Sequence, residues 1–588
     1  MKNYKHDNLM KLVQSSQRWR QNEAEPDWKR NLSWYKSNYH MDDFYAANFP
    51  EFKDKKYSVN LAYAVVETIL SATHTRFPDF SFHVHDSNRE TEELMMHQMG
   101  YDAGPRQHIS MKKFSRSLEE TCKKIGIDIK IKNTNRQAIT DAILLKYGVV
   151  KLGYKINKDN KAMEHLNSPE ELAKIGLTPN DLEVSDIIKS ESPYDIRIDP
   201  RRVLFPPDAE WGRWPWICIE TFLSKEEAEK KYKKTIKATH SGEEYRDDRH
   251  ENSGIDYVKL YEFHSFDPDD PRVVVFTDDE LLGDEEYPLV DEATGQTKSL
   301  IKVMWFNEPI DGGYPQCEID LVAPQLKEAN MQYHRRVENA KKFTTQYQFS
   351  GNYTPDQIEK FVNNPDGGYI HATDHRSKVG PVEKLSNGAE FYENIRSIFN
   401  EILEVLGLTD YHMGRPDRER KATEAQIMER AMMNRVGARR EKIEDFCFEQ
   451  IDTLVELLKN YMQQPKQMKT KYRRGSVITW NLTAELLQLT DMDITVQRGS
   501  TIEFDVDFEI ARAERLAKIA QAFGPVINLP ELAKRTFERL GEEDVDDLIL
   551  SEEPQPVPLP GGDGGAKMSA SPSGSPDPLQ AQHGGMPG

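Results

Sequence analysis

TEAQIMERAMMNRVGARREKIEDFCFEQIDTLVELLKNYMQ, residues Thr423 to Gln463, decides how the rest of the chain is read. Thr423-Glu424-Ala425-Gln426 fits a capping box, in which the threonine oxygen takes a free backbone N–H and the glutamine reaches back to the cap. Met428, Met432, Val436, Ile443, Cys447, Ile451, Leu454, Leu458 and Met462 then recur at steps of three, four or seven, so they share one side of a helix. No proline interrupts before Pro465. At 1.5 Å per residue the helix is roughly 60 Å long, well beyond the usual three or four turns. Gly437 is its soft point. With Arg439 and Arg440 standing where the apolar stripe should continue, a bend or a change of buried partner is expected there. Taken alone, the stretch is equally the long core helix of any large α protein.

The preceding segments narrow the choice. Asn387 to Leu406 reads as a helix with Phe391, Ile395, Ile398, Phe399, Ile402 and Leu406 on one face, and Gly407-Leu408 as a Schellman stop. Between the two helices Thr409 to Ala422 is a polar loop, carrying Arg415, Arg418, Arg420 and Lys421 against Asp410, Asp417 and Glu419, with Gly414 and Pro416 as breakers. Glu318 to Phe343 is a third helix, with Pro324 tolerated in its first turn and Lys341 and Lys342 suiting its C-terminus.

This order of helix, small Gly/Asn-rich insertion, helix, short charged loop and long helix resembles the portal proteins, or head-to-tail connectors, of tailed bacteriophages. The resemblance is carried by Asp320-Leu-Val-Ala-Pro324-Gln325-Leu-Lys-Glu328-Ala-Asn330, by Ile402-Leu-Glu-Val-Leu-Gly407-Leu and by Lys421-Ala-Thr423-Glu424-Ala425-Gln426-Ile427, and it spans most of Asn60 to Phe523. It implies an α+β portal fold: an N-terminal arm and wing over 1–317, a first stem helix over 318–343, a clip over 344–386, a second stem helix over 387–407, a channel loop over 408–422, a long bent wing helix over 423–464, and wing strands and a crown over 465–550. Pro, Gly and Ser dominate 551–588, so a disordered tail is expected there.

A chain of 588 residues is too long for one compact core. Its net charge of −20 and hydrophobic fraction of 37% predict a heavily hydrated surface, and no run approaches the roughly 18 apolar residues of a membrane helix. Met1-Lys-Asn-Tyr-Lys-His-Asp has no apolar core of a secretory signal, so synthesis in a cytoplasm is expected. Cys122, Cys218, Cys317 and Cys447 lie far apart and form no C-x-x-C, which predicts free buried thiols rather than a zinc cluster or a disulfide framework. Val59 to Thr75 reads as a buried helix, Phe80 to His85 as a strand, Arg106 to Tyr147 as one long helix broken near Gly126, and Tyr147 to Trp305 as rich in strands.

Catalytic signatures are missing from the sequence. It holds no G-x-x-x-x-G-K-[ST], no G-x-G-x-x-G after a strand and no H-E-x-x-H. His371 and His375, or His83 and His85, have spacings that suit a metal, but neither pair has a second ligand pair in sequence, and they read as exposed loop and strand histidines. Asp267, Asp269 and Asp270 alternate with prolines as a surface turn does. No catalytic residue, metal or cofactor is therefore expected.

On composition alone, the loop at Arg415 to Lys421 is an ordinary solvated connection. The resemblance makes it the narrowest part of a DNA channel, where Arg415, Arg418, Arg420 and Lys421 would touch phosphates without reading bases. Arg335, Arg336, Lys341 and Lys342 on the first stem helix form a second set, facing either the channel or Glu390, Glu393, Glu401 and Glu404 of a neighbouring helix. The implied protein is a homo-oligomeric ring, a dodecamer, at one vertex of the virion capsid. It passes double-stranded DNA in packaging and ejection, and its partners are the terminase large subunit, the major capsid and scaffolding proteins, and a tail or head-completion adaptor, with no membrane. A net negative conduit with local basic spots lets DNA slide, since tight non-specific binding comes from many phosphate neutralisations. The rivals are a metal-dependent DNA-processing nuclease and a non-portal helical scaffold protein.

Overall fold

The computed structural model describes residues 5–37, 59–84, 111–158, 188–237, 256–290, 297–309, 312–342, 347–363, 376, 378–381, 388–408, 422–471, 477–489, 492–496 and 518. Two compact units divide the chain, Met1–Phe504 and Asp505–Gly588, and all described residues except Lys518 belong to the first. The sequence also leads one to expect a polar surface insertion over Lys161 to Lys189, a strand at Tyr369 to Ala372 and crown elements from Ile502 onward; these and the tail lie outside the described residues, except for Lys518 and except that Ile188 and Lys189 open β3.

In chain order the elements are α1 (His6–Glu23), α2 (Glu25–Tyr35), α3 (Leu61–Thr73), β1 (Phe80–Val84), α4 (Met111–Asp128), α5 (Ile131–Leu144), β2 (Gly148–Lys158), β3 (Ile188–Ile198), β4 (Val203–Leu204), β5 (Trp216–Ser224), α6 (Lys225–Tyr232), β6 (Tyr257–Ser265), β7 (Arg272–Phe276), β8 (Leu281–Glu286) and β9 (Ile301–Met304). There follow α7 (Glu318–Leu321), α8 (Ala323–Lys342), β10 (Tyr347–Ser350), α9 (Pro355–Val362), β11 (Lys378–Pro381), α10 (Gly388–Leu406), α11 (Ala422–Tyr461), β12 (Lys466–Lys471), β13 (Val477–Leu482), α12 (Ala484–Leu489) and β14 (Met492–Val496). The class is α+β, as the sequence predicts.

Two antiparallel sheets carry the strand-rich half. One is a five-stranded meander in the order β4-β5-β6-β7-β8, and the other runs β3-β2-β9. Both faces of β5 are buried: Trp216 and Cys218 turn toward Leu9 and Val13 of α1, while Ile217 and Ile219 turn into the main core. The spacing of Leu9, Val13, Ser16 and Arg20 at four, three and four residues is what lays α1 along that sheet. At its end Arg20 meets Glu220 at 2.8 Å, and Ser16 donates to the Phe205 carbonyl at 2.6 Å. The N-terminal arm is thus a fixed layer of the fold.

The helix expected over Arg106 to Tyr147 does break, but at Ile129-Lys130 rather than at Gly126. Lys130 takes a left-handed φ of 59°, and Gly126 stays inside α4. Glycine costs a helix about 1 kcal/mol without ending it, whereas a left-handed residue ends it outright. Downstream, β2 starts hard against α5: a Cβ on Gly148 would stand 1.9 Å from the Ala138 carbonyl oxygen, so only glycine permits this helix-to-strand corner.

The long helix α11 is continuous over 40 residues and passes Gly437 unbroken. What changes along it is its partner. Val436, Ile443, Phe446 and Cys447 enter the main core with α3, α5 and the end of α10, whereas Ile451, Leu454, Val455, Leu458 and Met462 enter a second core with Phe80, Phe82, Leu118, Cys122 and Ile125. That second core also joins distant parts of the chain, because β1 pairs antiparallel with β14, Phe80 opposite Val496.

Candidate nucleic-acid interface

Pro324 lacks an N–H and disfavours the helical conformation in the residue before it. Glu318 to Lys342 is accordingly split in two, α7 ending at Leu321 and α8 starting at Ala323. α7 is locked by charge. Asp320 accepts from Asn31 at 2.9 Å and from Lys146 at 3.0 Å, and also from Arg30, while Lys146 reaches Asp27 at 2.8 Å. Burial pushes the Asp320 carboxyl up, but the Lys146 ammonium and the bonds from Asn31 and Lys146 outweigh it and hold the group below the usual carboxylate range. The arm helix α2 thereby grips α7, the turn immediately before α8.

α8 packs along α10, and the far ends of the pair are bridged by the β10–β11 hairpin with α9 between its strands. The apolar face of α10 is deeply buried only at its C-terminal end, at Ile402, Leu403 and Leu406; Ile395, Ile398 and Phe399 are half-covered and Tyr392 is 61% exposed.

The C-terminus of α10 is where the basic loop begins, and every one of its free carbonyls has a partner. Leu408 N–H donates to Leu403 at 2.8 Å and Gly407 N–H to Glu404 at 3.1 Å, the two bonds of the expected Schellman motif. Arg435 donates to Glu404 at 2.9 Å and to Val405 at 3.4 Å, and Arg439 to Leu406 at 2.8 Å. The same Arg439 binds Glu318 through Nε at 3.0 Å and Nη2 at 2.9 Å. One turn of α11 therefore ties together the end of α10 and the start of α7, with favourable cations at a helix C-terminus. Arg440, next along, donates twice to the Ala72 carbonyl at the end of α3, at 3.0 and 2.9 Å.

Comparison with protein-family models and with curated proteins gives no match.

Of the predicted basic residues, Arg415, Arg418, Arg420 and Lys421 lie outside the described residues. Lys341 and Lys342 close α8, where only their backbone is described. Arg335 is exposed, and Arg336 lies over the rings of Tyr333 at 5.3 Å and Tyr392 at 5.1 Å. The structure thus brings Arg336 onto α10 through the aromatic face of Tyr392. His83 lies on the exposed face of β1 with its Nε2 3.1 Å from the Thr495 hydroxyl, while His85, His371 and His375 lie outside the described residues. Asp267 to Asp270 form a turn, Asp270 N–H donating to the Asp267 carbonyl at 3.2 Å and Arg272 binding Asp270 at 2.6 Å. Among the described residues no group of three His, Cys, Asp or Glu side chains is placed to hold a metal ion, and no helix is long and apolar enough to cross a membrane.

Sequence reasoning missed the arginine clasp. Arg435 and Arg439 had one available signal: two cations one turn apart on a helix that follows a Gly-terminated helix, where carbonyls need donors.

Proposed function

We propose that this chain is a phage portal subunit with the portal fold: a ring-forming protein at one capsid vertex that conducts double-stranded DNA in packaging and ejection and docks the terminase and the tail. The observation that carries this reading is the helix pair α8/α10. It is bridged at one end by a small β-hairpin and helix, is rooted at the other in α11 through Arg435 and Arg439, and has the basic 409–421 segment leaving the root. A half-covered apolar face on α10 supports ring formation, because such a face is stabilised by a neighbouring subunit. The basic segment, four cations within seven residues from Arg415 to Lys421, supports contact with phosphates in a chain whose net charge is −20. On this reading the chain holds no catalytic residues, and ATP hydrolysis belongs to the terminase. Further partners are the capsid, scaffolding and head-completion proteins.

Negative-stain microscopy of the purified chain tests it. Closed rings with a central hole are expected. Monomers or dimers alone at micromolar concentration across several salt conditions would overturn the reading, and magnesium-dependent cleavage of duplex DNA would speak for a nuclease instead.

A further inference from the structure

Two helices that line one core each carry charged and exposed side chains on the face turned from it. α4 sends Leu118, Cys122 and Ile125 into the second core, and α11 sends Ile451, Leu454 and Leu458 into the same core.

The outer face of α4 has a small basic excess around an exposed apolar residue, three lysines against the exposed carboxylates of Glu120 and Asp128. Ile127 is 75% exposed, and Lys123, Lys124 and, just past the helix, Lys130 are exposed around it. Lys123 makes a loose pair with Asp79 at 3.6 Å. The outer face of α11 has the opposite character. Glu441, Asp445, Glu449, Asp452 and Glu456 follow at steps of four, four, three and four, with Phe448 36% exposed among them. Like charges at such spacing repel; Asp452 already pairs with Lys298 at 2.5 Å and Glu456 with Lys459 at 3.2 Å, so Asp445 and Glu449 carry the excess charge of the stripe. Partial burial first, then Asp445 and Asp452, push the Glu449 carboxyl above its ordinary value, against the opposing pull of Lys302 3.8 Å away. A cationic surface laid on this stripe would relieve that cost.

We propose that in the ring the outer face of α4 on one subunit docks on the outer face of α11 on the next, Ile127 against Phe448 and Lys123, Lys124 and Lys130 against Asp445 and Glu449. This rests on the ring-forming reading above and names its contact surfaces. Because the two patches differ, the contact is head-to-tail and repeats until the ring closes, whereas a self-complementary contact would stop at a dimer. A standard interface buries about 1,600 Å², more than one helix crossing supplies. The α4–α11 contact is thus one line of a wider interface, and complementary charge sets its register.

The test is an Ile127→Cys/Phe448→Cys double variant of the full chain, oxidised and run on a denaturing gel without reductant. The native cysteines are all buried and contribute little background. The expected result is a ladder from dimer up to the complete ring, collapsed by reductant and missing from either single variant. A dimer band alone, or intact rings with no cross-link, overturns the docking surfaces while leaving the ring reading in place. No rings from the wild-type chain overturns the ring reading, and the inference falls with it. A second arm reverses charge: Lys123→Glu/Lys124→Glu/Lys130→Glu should raise the concentration for half-assembly about tenfold or more, since like charges facing across an interface are costly. Adding Asp445→Lys/Glu449→Lys to that variant should restore assembly. Unchanged assembly in the first variant, or no restoration in the second with an unchanged melting temperature, overturns the proposal.

Discussion

Arg439 holds the fully buried carboxylate of Glu318 with two parallel hydrogen bonds, 3.0 and 2.9 Å, while its third nitrogen serves the Leu406 carbonyl. The residues are 121 positions apart in the chain, and the pair fixes where three helices meet. Removing one partner of such a pair leaves a buried charge uncompensated, which costs about 3–5 kcal/mol. Arg439→Met should therefore lower the melting temperature far more than Arg439→Met combined with Glu318→Leu, where both charges are gone. Arg439→Lys should fall with the severe variant, because an ammonium cannot reproduce the bidentate fork and reach Leu406 as well. Differential scanning fluorimetry on the four proteins checks the ranking; equal losses in the single and double variants would show that the pair carries no special weight.

Gly407 offers a second handle on the same joint. Its φ of +65° suits glycine, and an added Cβ would stand 2.5 Å from Cδ and 3.1 Å from Cβ of Arg435. Gly407→Ala should cost about 1–2 kcal/mol for the left-handed backbone, and should further displace Arg435 from the carbonyls of Glu404 and Val405. Adding Arg435→Ala should remove the contact with Cδ, the tightest part of the steric cost, so the two substitutions should be less than additive; strict additivity would count against the contact.

Asp195 gives the fold a pH dependence. It is 7% exposed on β3, facing Thr134 of α5 and near Cys447 of α11. Burial pushes its carboxyl up to about 7, and neither carboxylate oxygen has a hydrogen-bond partner among the described residues to offset it. The unfolded value is about 3.9. Between those two values the folded chain keeps a proton that the unfolded chain has lost, so stability falls as pH rises through this window and levels off above it. Asp195→Asn should remove that loss: more stable than wild type by on the order of a few kcal/mol at about pH 8, at about 1.4 kcal/mol per unit, and no more stable at about pH 4. Melting temperatures of both proteins across that range decide it, and a constant gap would sink the assignment.

The long helix was legible because apolar period and proline-free length agree over one continuous run; the expected capping box does not mark its start, since the helix begins at Ala422 and Thr423 lies inside its first turn. The Schellman stop at Gly407-Leu408 was legible for the same local reason. What was hidden is non-local. Arg440 stands where the apolar stripe should continue, and nothing near it in sequence says that its acceptor is the carbonyl of Ala72, 368 positions away. The strands β12 and β14 were missed because Lys466–Lys471 is polar and Met492–Val496 short, and β14 acquires its meaning only from β1, more than 400 residues earlier. Charged partners of backbone groups leave little trace in a single sequence, since one side of the bond has no side chain.

The loop at Arg415, Arg418, Arg420 and Lys421 provides the sharpest test of the DNA reading. The root from which it leaves is held by backbone bonds and by Arg435 and Arg439, none of which involves these four residues. Neutralising all four should therefore leave ring assembly and melting temperature near wild type. If the loop meets the DNA backbone, the same substitution should shorten or abolish packaged DNA in a phage carrying it. The defect should be indifferent to DNA sequence, because phosphate contacts carry no base information, and sensitive to ionic strength, because each lost contact lowers the number of counterions released. An Arg415→Lys/Arg418→Lys/Arg420→Lys variant keeps the charge and should retain most packaging, which separates an electrostatic role from a shape-specific one. Packaged DNA length is the measurement. Full-length packaging by the neutralised loop would remove it from the channel while leaving the ring-forming reading to its own test.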